Sequence, residues 1–165
     1  MTIRPYRPDD FAALFAANEA SVPGVGAETE ESLAKWIELA TCLVAVDAED
    51  QPLGFITVME IGQPEYDSPN MRWFETYAAQ TGKSVVYVDR IALLPAARGQ
   101  RLGEALYEAA FAQFAGRDEI GCEVNTLPDN PGSHRFHERL GFVAAGEATY
   151  RPGEKAVRFY TRPLG

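Results

Sequence analysis

The chain has 165 residues, 46% hydrophobic and 24% charged, a balance that suits one soluble domain able to bury a core without disulfides or metals. Its 24 acidic against 15 basic side chains give a net charge of −9, which excludes a broad nucleic-acid surface, since such surfaces neutralise phosphates with Lys and Arg. No stretch approaches the roughly 20 apolar residues of a membrane helix, and the opening residues, with Arg4, Arg7, Asp9 and Asp10, lack the apolar centre of a secretory leader.

Thr2 to Tyr6 reads as a short strand, and Asp9-Asp10 as N-capping acids for a helix opened by Phe11 to Phe15. A second helix is expected around Ser32 to Ala40. Cys42 to Asp47 and Leu53 to Glu60, joined by a turn through Pro52, predict an antiparallel hairpin. The region from Gly62 to Lys83 is less regular, with a helix expected near Trp73 to Gln80. Its Tyr66, Trp73, Phe74 and Tyr77 suit either packing against a sheet or the rim of a binding site. Val85 to Leu94 is a strong strand ended by Pro95, followed by a helix over Gly103 to Ala115. Ile120 to Asn125 reads as a strand and Pro131 to Leu140 as a helix, with Phe136 and Leu140 as its buried stripe and His137 on the flank. Strands over Phe142 to Tyr150 and Ala156 to Thr161 complete the chain. No repeat or flexible linker divides it, so residues 1–165 are read as one α/β domain around a mixed sheet. The last strand is a candidate for pairing across a two-fold axis in a homodimer.

Cys42 and Cys122 sit in apolar, strand-like surroundings, and with two histidines in the chain neither a disulfide framework nor a metal site is expected. The acidic surface either steers a cationic partner or only keeps the protein soluble. A cytoplasmic location, with no membrane or nucleic-acid partner, is the expectation.

The most informative stretch runs from Val85 to Gly103. An apolar strand ends at Pro95 and the turn Arg98-Gly99-Gln100-Arg101-Leu102-Gly103 feeds directly into a helix. A helix start carries unpaired N–H groups and the positive end of the macrodipole. Glycine there allows close approach of backbone to ligand, and arginines pair with phosphate oxygens. Such a segment can cradle a diphosphate, or it can be a surface turn capped by basic residues. It is neither the dinucleotide fingerprint nor a P-loop, whose Lys-Ser/Thr ending is missing. A second stretch, Cys122 to Phe142, places Asn130 as an N-cap, Pro131 in the first helical position and Gly141 just past the helix end.

Through these two motifs the chain resembles the GNAT superfamily of N-acetyltransferases along essentially its whole length. The family's Arg/Gln-x-x-Gly-x-Gly/Ala turn is matched by Arg98, Arg101 and Gly103, with Arg101 in place of the middle glycine. Its later Asn-x-x-Ala-x-x-x-Tyr-x-x-x-Gly-Phe segment is matched by Asn130, Ser133, His137, Gly141 and Phe142. The resemblance implies a mixed, mostly antiparallel sheet of about six to seven strands flanked by helices. A splayed parallel strand pair would form the acyl-CoA cleft. It implies acetyl-CoA as co-substrate, no metal, and direct attack of an amine on the thioester.

The cofactor-binding residues so implied are Ile91, Ala92 and Leu93 through their backbone, Arg98, Gly99, Gln100, Arg101, Leu102 and Gly103 in the turn, and Asn130, Ser133 and His137 beyond it. An amine with a pKa of about 8 to 10.4 arrives protonated, so a base is required. Glu123, in an apolar strand and sharing a face with Asn125, is the first candidate; Asp89 is the second. Either also reads as a strand carboxylate paired with a nearby arginine. His137 stands where the family has a tyrosine acid; it reads as a substitute acid or as a helix residue without a role. That departure keeps open a non-catalytic acyl-CoA sensor, or transfer of another acyl group, beside amine acetylation.

Overall fold

A computed structural model describes all residues, Met1–Gly165. In chain order the elements are β1 (Thr2–Pro5), α1 (Phe11–Ser21), α2 (Glu30–Leu39), β2 (Thr41–Val46), β3 (Pro52–Glu60), α3 (Pro69–Thr81), β4 (Val85–Leu93), α4 (Leu102–Gln113), β5 (Glu119–Leu127), α5 (Pro131–Arg139), β6 (Val143–Arg151) and β7 (Lys155–Pro163). The strands hydrogen-bond in the order β1-β2-β3-β4-β5-β7-β6. Pairing is antiparallel for β1 with β2, β2 with β3, β5 with β7 and β6 with β7. β4 and β5 are parallel, with register Val85↔Glu119, Val86↔Ile120 and Tyr87↔Gly121. This is the mixed, mostly antiparallel α/β fold expected. No helix is long and apolar enough to cross a membrane. The chain divides into two compact units, residues 1–60 with 88–114, and residues 61–87 with 115–165.

In the first unit, Leu14, Leu33, Ile37, Val44, Phe55 and Ala92 form the apolar core. β3 and β4 approach closely where a Cβ on Gly54 would collide with the Leu93 side chain and lie 2.7 Å from the Ala92 carbonyl. The expected capping by Asp9-Asp10 takes another form. Asp10, buried, accepts two bonds from the Arg4 guanidinium and one from the Arg7 amide, and makes no side-chain cap on α1. The Arg4 bonds hold its carboxyl below the usual carboxylate range. Burial pushes the Cys42 thiol up to about 12, which leaves it an inert core residue.

In the second unit, α3 starts at Pro69, earlier than the region near Trp73, because the Ser68 hydroxyl accepts from the Met71 amide and proline fills the first helical position. Trp73 stacks on Phe159 at 4.1 Å between ring centres, and Phe74 meets Tyr87 and Phe159. Gly121 and Gly146 make room for these rings: a Cβ on the first would overlap Phe74, and on the second would lie 2.6 Å from Trp73. Of the two readings of the 62–83 segment, Trp73 and Phe74 follow packing.

Helix α5 corrects one expectation. Its buried side chains are His134 and His137, whereas Phe136 and Leu140 are half-exposed. His134 is bonded to the Tyr160 hydroxyl at 2.6 Å and to the Asn125 carbonyl at 3.0 Å, so the polar ring is satisfied inside. A second correction concerns β7. It is flanked by β5 on one side and β6 on the other, so it offers no free edge; the outer strand is β6.

Gly121→Ala should cost about 2 kcal/mol or more, because the ring that must yield is locked in an aromatic cluster. Gly132→Ala, on an exposed turn of α5 with open space at its Cβ, should instead stabilise by about 0.5 kcal/mol. Chemical denaturation of both variants checks the pair; equal and small effects would contradict the packing of Phe74.

Burial lowers the pKa of His137. The unfolded chain therefore binds a proton more readily, and stability contributed by the neutral ring is full above about pH 6.5 and is lost as pH falls below it. Replacing His137 by Phe should flatten this part of the stability profile between pH 7 and 5.

Candidate functional site

In the first unit the turn and α4 build a ligand-ready backbone. Arg101 is the N-cap of α4 and adopts the left-handed conformation, φ 60° and ψ 26°. An arginine in this conformation, which glycine adopts freely, costs about 1 kcal/mol. Gly99 is also left-handed, φ 80°, with nothing within 4 Å of a Cβ placed there. The first bond of the helix runs from the Ala105 amide to the Arg101 carbonyl, so the amides from Arg101 to Glu104 have no acceptor within the helix. Gly99, Gln100 and Arg101 are exposed, Gly103 half-buried and Leu102 buried. Arg98 is exposed and anchored by a 3.1 Å bond from its guanidinium to the Ala20 carbonyl; the Gln100 amide reaches the Ala96 carbonyl at 3.4 Å. A diphosphate fits this set: a run of donors, a helix dipole and two guanidinium groups.

Ile91, Ala92 and Leu93 close β4 just before that turn. Asp89 and Arg90 precede them as a buried pair, 2.8 Å apart with side chains 3% and 2% exposed. Arg90 also donates to Asn18 at 2.8 Å and reaches Glu28 at 3.3 Å. Glu28 in turn accepts from the Trp36 indole and the Ser32 hydroxyl. This network ties the segment before α2 to β4. It gives Asp89 a structural task and leaves it little scope as a base.

In the second unit Glu123 is half-buried on β5. It accepts from the Tyr87 hydroxyl at 2.8 and 2.9 Å and from the Asn70 side-chain amide at 2.9 Å. The Tyr150 hydroxyl donates to Asn70 at 2.6 Å. Lys155 Nζ donates to Asn125 Oδ1 at 2.5 Å. Glu123 pairs across from Phe159, which α3 covers, so Glu123, Asn125, Phe159 and Asn70 share one face. Burial pushes the Tyr150 phenol up to about 12, with the Glu123 charge adding to it. Burial lowers the Lys155 ammonium.

His137 lies under α5 on the opposite face, stacked beside Tyr160, the residue after Phe159. Its Nδ1 sits 2.8 Å from the Ser133 carbonyl, which only a donor can satisfy, so the neutral ring carries its hydrogen there. Asn130 caps the same helix through Ser133. The structure thus brings Asn130, Ser133 and His137 together, and sets Glu123 with Tyr87, Asn70 and Tyr150 on the other face. Those three partners were missed in the sequence. Ser68-Pro69 signals a helix start that would have put Asn70 in its first turn, and period-2 alternation from Val85 puts Tyr87 on one face of β4. Nothing local marks Tyr150.

Residues 11–142 match the acetyltransferase (GNAT) family. Mycothiol acetyltransferase of Renibacterium salmoninarum is 31% identical over 157 residues, covering 87% of this chain; the chain spans 40% of that protein's length. Among solved structures, a Streptococcus mutans protein aligns over 100% of both chains with a TM-score of 0.76 at 17% identity. An N-acetyltransferase from Staphylococcus aureus aligns over 99% of this chain and 98% of its own with a TM-score of 0.72 at 19% identity. These two share the fold. The family match extends over most of the chain, including the turn before α4 and the helix that carries His137; the chain belongs to the GNAT acetyltransferase family.

Proposed function

We propose that the chain is an acetyl-CoA-dependent N-acetyltransferase, one catalytic domain over residues 1–165, acting on a primary amine of a small molecule or protein. The observation that carries this reading is the uncapped start of α4, whose amides from Arg101 to Glu104 have no acceptor within the helix, beside the exposed Arg98 and Arg101. Acetyl-CoA, when bound, supplies the thioester carbonyl that the amine attacks. Arg98, Gly99, Gln100, Arg101, Leu102 and Gly103 hold its diphosphate. The backbone of Ile91, Ala92 and Leu93 lines the arm that follows; Asn130 and Ser133 are assigned to the cofactor on their match to the family's later segment alone.

Glu123 is the base. Its neutral partners, Tyr87 and Asn70, orient the carboxylate by donating to it, and its partial exposure leaves room for an incoming amine or a bridging water. Asp89 is the weaker candidate, because its carboxylate is buried against Arg90. His137 serves as an acid only when doubly protonated, since the neutral ring commits its hydrogen to Ser133, and burial disfavours that charged form. A thiol with a pKa of about 8.5 leaves adequately without strong acid help.

Glu123→Gln should lower kcat by about 100-fold or more and leave the acetyl-CoA Kd within about twofold. Release of free thiol and calorimetric titration measure the two; a loss of binding equal to the loss of turnover would contradict the assignment. Arg98→Ala should weaken acetyl-CoA by about tenfold and leave S-acetylpantetheine, which lacks the diphosphate, nearly unchanged. Equal losses on both would count against the cradle.

A further inference from the structure

Lys155 is hydrogen-bonded to no carboxylate, and the Glu123 charge acts on it only from beyond bonding distance. It opens β7, is half-buried, and makes one hydrogen bond, to the neutral Asn125 side chain. Lys83 of the same unit, although exposed, does reach a carboxylate, Glu119 at 3.3 Å. Holding an ammonium away from bulk water with one neutral partner is unfavourable unless an anion joins it. The shift of Lys155 agrees, since burial is its leading cause and the Glu123 charge only partly offsets it.

Position supplies the rest. Lys155, Val157 and Phe159 alternate onto one face of β7, and Glu123 and Asn125 project from β5 onto the same face. Glu123 and Asn125 are two residues apart, about 6.6 Å along the strand. With Lys155 bonded to Asn125, that spacing matches an amine on Glu123 and an anion on Lys155 in one short molecule. In an α-amino acid the nitrogen and nearest carboxylate oxygen are about 3 Å apart, and one hydrogen bond of about 2.8 Å at each end gives a reach of about 8 Å. Tyr150 and Asn70, joined at 2.6 Å, provide polar groups on the same face as the carboxylate.

We propose that the acceptor is a small zwitterionic amine of the α-amino acid class, its carboxylate paired with Lys155 and its amine delivered to Glu123. Lys155 determines specificity and takes no part in bond making: the ammonium gives one proton to Glu123, the N–C bond forms, the C–S bond breaks, and the second proton lost by the nitrogen goes to the departing sulfur, so that coenzyme A leaves as thiol. The inference rests on Glu123 as base and on acetyl transfer, and goes further by naming the acceptor.

The test is thiol release from acetyl-CoA with the free α-amino acids and, in parallel, their carboxamides, together with calorimetric binding of the same compounds to the CoA-loaded protein. Free acids should be preferred. Lys155→Met should lower kcat/KM for free acids about 50-fold, chiefly through KM, and for carboxamides less than about threefold; Lys155→Arg should restore most of the difference. Equal losses on both series, or a wild-type preference for carboxamides, would overturn the proposal. So would a panel in which no carboxylate-bearing amine reacts or binds, whatever uncharged amines do. Glu123→Gln is run beside it: if turnover persists there, the base assignment fails, whereas an Lys155 result alone leaves that assignment standing.

Discussion

A helix that starts in solvent strands its first amide groups, and a protein normally spends a side chain to cap them. Here α4 starts without a side-chain cap, at an arginine held in the left-handed conformation, and the amides from Arg101 to Glu104 have no acceptor within the helix. A water-facing turn of this kind is marginal by itself. It becomes favourable when an anion with several acceptor oxygens fills it, because donors, dipole and guanidinium groups then act together. Arg101 holds the left-handed conformation that glycine adopts more readily, so the turn enters the helix sharply while carrying a guanidinium.

The second unit solves a different problem, that of keeping a carboxylate available in a largely apolar sheet. The aromatic stack of Trp73, Phe74 and Phe159 fixes α3 on the sheet, and the small residues Gly121 and Gly146 admit those rings. With α3 so fixed, Asn70 in its first turn reaches Glu123, while Tyr87 reaches it from β4. Neutral donors orient the carboxylate without supplying a full positive charge, in contrast with Asp89, which a buried arginine holds. The proposed base and the proposed specificity residue share the face that α3 covers, and His137 packs on the other.

Much of the fold was legible because long apolar alternation and helix-stop residues act locally. β4 ends at Leu93, two residues before Pro95, α5 is bounded by Asn130-Pro131 and Gly141, and the turn from Arg98 to Gly103 stands out as a contiguous motif. What could not be read depends on side chains that meet from distant parts of the chain. Phe136 and Leu140 fit the buried stripe of α5 by hydrophobicity, yet the helix turns His134 and His137 inward because Tyr160, the Asn125 carbonyl and the Ser133 carbonyl satisfy them. Asp10 looked like a helix cap and became the partner of Arg4 across a strand. Asn70, Tyr150 and Lys155 carry no motif at all; only the register of β5 with β7 and the placement of α3 bring them to Glu123's face.

The claim on which the account rests is that the turn leading into α4 binds a diphosphate through its own backbone. An amide NMR titration of the protein with coenzyme A, beside one with pantetheine, measures this most directly. The account predicts that the amides from Gly99 to Glu104 shift most with coenzyme A and hardly at all with pantetheine. Saturable coenzyme A binding that leaves those amides unmoved would contradict it.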